Sequence, residues 1–61
     1  MDKIFVLVDE TIDGVMVVFA SADKEACIYK LKTEYPSLHY VGGDIWRCGS
    51  SIITIQQVDV G

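Results

Sequence analysis

Histidine, proline and tryptophan each occur once in these 61 residues, as His39, Pro36 and Trp46, and cysteine occurs only as Cys27 and Cys48. Each scarcity closes off a class of chemistry. Two cysteines without CxxC spacing are too few for a secreted disulfide scaffold. With His39 they give zinc an incomplete and unpaired ligand set, so both read as reduced thiols, and no metal or cofactor is expected. There is no nucleophile elbow, no Gly-rich phosphate loop, and no HExxH or EF-hand spacing, so no catalytic residue is assigned and the chain is not expected to be an enzyme. His39 with Cys48 is the one conceivable nucleophilic pair. A partly exposed strand histidine is the preferred reading.

Positive charge is also scarce: five Lys and Arg stand against nine Asp and Glu, for a net charge of −4. The imbalance lies in the first 25 positions, where Asp2, Asp9, Glu10, Asp13, Asp23 and Glu25 face only Lys3 and Lys24. Nucleic acid is disfavoured as a partner, and a basic protein surface is favoured. No apolar run reaches membrane length, and Met1-Asp2-Lys3 leads into a strand-like run without a signal-type n-region. A cytosolic location and no membrane partner are the expectation.

What is abundant is β-branched and aromatic residues in two short runs, IFVLV at 4–8 and VMVVFA at 15–20. Lys3–Val8 and Val15–Ala20 are expected to pair as an antiparallel hairpin across the polar link 9–14, with Gly14 supplying positive φ. Ser21 is the expected N-cap of a helix from about Ala22 to Glu34, which Tyr35-Pro36 ends. Beyond it, two strands or three shorter ones would both fit; two are preferred, about Leu38–Cys48 with a bulge or bend at Gly42-Gly43, and Ser51–Val60 after a Gly49-Ser50 turn. The fold class is α+β, one ββαββ domain with a four-stranded antiparallel sheet and one helix on one face.

Neither run alternates apolar with polar, so both sheet faces are apolar, and one helix can cover only one of them. The size of the chain sharpens the point. Folding should bury about 5,900 Å², worth about 90 kcal/mol, against about 90 kcal/mol of ordering entropy, a balance near zero. Homodimerisation is the expected second source of burial. The helix carries one apolar stripe of Cys27, Ile28, Leu31 and Tyr35 and another of Ala22, Ala26, Tyr29 and Thr33. The dimer contact is assigned to Phe5, Leu7, Met16 and Val18 with Tyr29.

Two surfaces are candidates for a larger protein target. One is an acidic loop carrying Asp9, Glu10 and Asp13, which would meet lysines or arginines. The other is a cluster of His39, Tyr40, Trp46 and Arg47, residue types enriched at binding hot spots. Gly42-Gly43-Asp44 reads as a turn, with a nest of anion-binding amides as the alternative. Were that nest to act with Tyr40, Trp46 and Arg47, the chain would be a sponge for a signalling nucleotide at a dimer interface.

The stretch KIFVLVDETIDGVMVVFASADKEACIYKLKTEYP resembles small uncharacterised ββαββ domains of phages and bacteria, over about the first 36 residues. There a strand, an acidic loop, a strand ending in Phe-x-Ser and a helix with Ala and Lys follow one another. The resemblance implies a small, often oligomeric accessory protein acting in the bacterial cytoplasm. Phage proteins of this kind commonly bind and block a host factor, such as a component of a defence system.

Overall fold

A computed structural model describes residues 2–60. The elements are β1 (Asp2–Thr11), β2 (Gly14–Ser21), α1 (Lys24–Glu34), β3 (His39–Gly42), β4 (Ile45–Cys48) and β5 (Ser51–Val60). The domain is α+β, with one helix on a five-stranded antiparallel sheet in the order β2-β1-β5-β4-β3. The two long strands β1 and β5 lie side by side at the centre of the sheet, and α1 carries the chain from one edge strand to the other.

The sheet has five strands rather than the expected four because residues 38–48 do not form one bent strand. Gly43 and Asp44 have φ of 59° and 61°, a two-residue loop with both centres left-handed. That is the type I′ pattern, whose twist matches the flanking strands and turns the chain back completely. A bulge between Tyr40 and Gly42 completes the reversal. The Gly49-Ser50 turn stands where expected, with only the glycine at positive φ (62°), as a type II′ hairpin requires.

The helix starts later than Ser21 would have placed it. Asp23 is the N-cap, its Oδ1 accepting from the Glu25 amide at 3.0 Å, while Ser21 Oγ accepts from the Asp23 amide at 3.1 Å and ends β2. Either residue type can cap, and the carboxylate two residues closer to the helix prevails. At the far end the Tyr35 amide donates to the Leu31 carbonyl at 2.9 Å before Pro36 turns the chain away.

The core is small: Leu7, Cys27, Leu31, Ile53 and Ile55, with Phe5, Val18, Phe19, Ile28, Tyr35, Leu38 and Trp46 packed around it. The first helical stripe therefore packs on the sheet. This overturns part of the expected dimer contact. Leu7 is fully buried under the helix, and Phe5 and Val18 pack on the same core. Val18 turns inward because β2 bulges there, Leu7 pairing with Phe19 while Val8 pairs with Val17. Tyr29, 75% exposed, lies on the outer side of α1, and Met16 is exposed near the tip of the first hairpin, so the five residues do not share a surface.

Candidate protein-interaction surface

Directly opposed residues in an antiparallel sheet point to the same face, so the register sorts the side chains. Phe5, Leu7 and Asp9 on β1 share the helix face with Phe19, Ile53, Ile55, Trp46 and Tyr40. The opposite face carries Ile4, Val6 and Val8 on β1, Val15, Val17 and Ala20 on β2, Ile45 on β4, and Ile52 and Val58 on β5. No element of the described chain lies over it. Val15 and Val17 are 67% and 61% exposed, and Ile52 and Val58 are exposed too, while Val8 is enclosed by its own neighbours.

The two faces differ in kind. Under the helix sit Phe, Leu, Ile and Trp side chains, long enough to reach a cylinder standing off the sheet. The open face is mostly valine and isoleucine, whose stiff, branched side chains make a low, even surface of the sort that packs on another sheet about 10 Å away. That size difference was legible in the sequence and would have identified the helix side of the hairpin.

The remaining expected site residues are dispersed. Asp9 and Glu10 belong to β1, since both pair with β2 and β5, and only Ile12 and Asp13 form the turn. Asp9 points to the helix face, where its Oδ2 accepts from the Tyr35 hydroxyl at 2.7 Å, and its buried Oδ1 has no partner. Glu10 points to the open face, whereas Asp9 and the exposed Asp13 line one depression at the hairpin tip with Thr11, Gly14, Val15 and Met16, so two of the three carboxylates share a surface and the third does not. Thr11 Oγ1, which accepts from the Asp13 amide at 3.2 Å, shapes the turn.

The aromatic cluster is divided in the same way. Tyr40 and Trp46 pair across β3 and β4 with ring centroids 5.5 Å apart, on the helix face, where Trp46 packs on the core. His39 and Arg47 pair on the open face. Alternation along a strand sends Trp46 and Arg47 to opposite sides of the sheet, so Trp46 lines a depression with Tyr40, Lys32, Tyr35, Pro36 and Leu38 while Arg47 lies on the other face. The carboxylate of Asp44, held by Lys24 Nζ at 2.9 Å, sits at the Gly42-Gly43 turn, and its negative charge opposes an anion there.

Cys27 is fully buried, its Sγ donates to the Phe5 carbonyl at 3.4 Å, and burial pushes its thiol up. No helix of the described chain is long and apolar enough to cross a membrane. Comparison with protein-family models, with curated proteins and with solved structures found no match.

Proposed function

We propose that this chain is a small, non-catalytic protein-binding module that self-associates and, as a homodimer, binds and modulates a larger protein. The observation that carries the reading is the open valine-rich sheet face. A compact monomer of 6.8 kDa should expose about 4,000 Å². This one exposes 4292 Å², with only six apolar residues buried among those described. Exposed valines and isoleucines gathered on one face, Val15, Val17, Ile45, Ile52 and Val58, are characteristic of a protein interface.

The acidic balance supports a basic target, and the resemblance of the first 36 residues to phage and bacterial accessory domains supports a host defence component as that target. Light scattering at micromolar concentration tests the first step. A dimer is expected, abolished by Val17→Lys on the open face and kept by Tyr29→Lys on the outer helix. A monomeric mass with a melting temperature independent of concentration would overturn self-association.

A further inference from the structure

We propose that the open face is closed by a second copy of this chain, docked sheet to sheet about a two-fold axis along β5, with Glu10 of each copy paired to Arg47 of the other. The inference rests on the self-association reading and specifies its geometry.

The register places one row of side chains across all five strands of the open face: Val15, Glu10, Ile52, Arg47 and His39. Neighbouring strands lie about 4.8 Å apart, so Glu10 and Arg47, two strands apart, are separated by roughly 10 Å with Ile52 between them. Both are exposed, and neither joins an ion pair within the described chain. An occupant that covered this face without answering them would strip the water from an unpaired carboxylate and an unpaired guanidinium and give neither a partner in exchange. It must therefore present a cation over Glu10 and, about 10 Å away, an anion over Arg47. The chain's own face has that pattern.

Two facing sheets can be related by a two-fold axis that runs across the strands or along them. An axis across the middle of β1 lays that strand on its own copy reversed. Asp2 and Glu10 lie at opposite ends of the open side of β1, so each Glu10 would meet the Asp2 of the other copy. Like charges brought together in an apolar contact disfavour that arrangement.

An axis along β5 instead exchanges β1 with β4, its neighbours on either side. Glu10 then faces Arg47 of the other copy, twice by symmetry. In the next row, Val17-Val8-Thr54-Ile45-Gly42, Val8 faces Ile45, and the exposed Val17 faces Gly42, which has no side chain. Aligned sheets cross at about 30°, which at one strand's width from the axis displaces residues by only about 2–3 Å, within reach of Glu and Arg side chains.

The size is adequate as well. The broad side of the molecule measures 36 × 22 Å. Its bounding rectangle is roughly 800 Å² at most, of the order of the area each partner buries in a standard stable interface.

The test uses Glu10→Arg and Arg47→Glu, singly, combined and mixed, with mass by light scattering and folding by circular dichroism. Each single variant sets like charges against each other at both contacts and should weaken dimerisation at least tenfold. The double variant should dimerise again. An equimolar mixture of the two single variants should form a heterodimer, because every contact then joins an arginine to a glutamate.

Singles that dimerise as tightly as the unaltered chain, or a mixture that stays monomeric, would overturn the arrangement. If the unaltered chain is then still a dimer that Val17→Lys dissociates, self-association through this face stands without it. A monomeric unaltered chain would remove both. Should either reversal fail to fold, Glu10→Gln and Arg47→Gln serve: weakening by both upholds the pairing, and unchanged affinity overturns it.

Discussion

The Tyr35 hydroxyl donates to Asp9 Oδ2 at 2.7 Å, fastening the residue that caps α1 to the central strand β1. Burial first, and this hydrogen bond second, push the phenol up to about 12. An unfolded tyrosine titrates near pH 10, so the folded state holds its proton more tightly. Stability from this group is fully present below about pH 10 and is lost as pH rises towards 12. Urea midpoints measured from pH 7 to 11.5 should fall across that window. Tyr35→Phe should lose this part of the slope and, at pH 7, be less stable by about 1–3 kcal/mol, because Asp9 is left without a partner. An identical alkaline slope in the Phe variant would assign the titration elsewhere.

Charge reversal separates Asp9 from Asp13, two of the carboxylates at the β1–β2 hairpin. Asp13 lies exposed in the turn, so Asp13→Lys should change stability by no more than about 0.5 kcal/mol. If a basic target is steered by this end of the molecule, Asp13→Lys should also slow association, with the effect shrinking as salt rises. Asp9→Lys places an ammonium where a buried carboxylate oxygen and the Tyr35 bond now sit, and should destabilise by about 3 kcal/mol or more. Equal denaturation midpoints for the two variants would contradict the division of the acidic residues between faces.

Along α1 the contrast between inner and outer positions is equally sharp. Leu31 is fully buried against Leu7 and Ile53, and Leu31→Ala should cost about 2–5 kcal/mol, depending on how far the small core collapses. Tyr29→Ala, two positions earlier on the exposed side, should cost no more than about 0.5 kcal/mol. The comparison is best made by denaturant unfolding at fixed protein concentration, so that dimerisation contributes equally. A large loss at Tyr29 would mean that the outer helix face is itself covered in solution.

Much of the fold was legible because local signals agreed with the tertiary outcome. The two greasy runs are strands, the stripe of Cys27, Ile28, Leu31 and Tyr35 faces the core, and Gly49-Ser50 turns the last hairpin. Three features were not legible, each for its own reason. The Gly43-Asp44 turn needs a left-handed aspartate, which sequence presents as readily as a bend within one strand. Which face of the first hairpin meets the helix is a question of parity, and both parities are apolar, so hydropathy does not decide it and only the larger Phe5 and Leu7 side chains mark the helix side. The candidate sites failed by the same alternation: residues adjacent in sequence, such as Asp9 with Glu10 or Trp46 with Arg47, fall on opposite sides once they are in strands.

The β3–β4 turn tests whether backbone conformation or charge holds Asp44. Its φ of 61° is a left-handed value that costs an ordinary residue about 1–2 kcal/mol, and aspartate, asparagine and glycine tolerate it best. Its carboxylate also pairs with Lys24 at 2.9 Å, but the two side chains are 39% and 43% exposed, which limits the pair to about 0–1 kcal/mol. The backbone term should therefore dominate. Asp44→Asn keeps the conformation and loses only the pair, so it should cost under about 1 kcal/mol, and Lys24→Ala should match it. Asp44→Ala loses both and should cost about 1–2 kcal/mol more than Asp44→Asn. Molar salt should reduce the effect of Lys24→Ala and leave the difference between the alanine and asparagine variants intact. If Lys24→Ala proves as damaging as Asp44→Ala, the ion pair rather than the turn geometry fixes the start of α1 against the sheet.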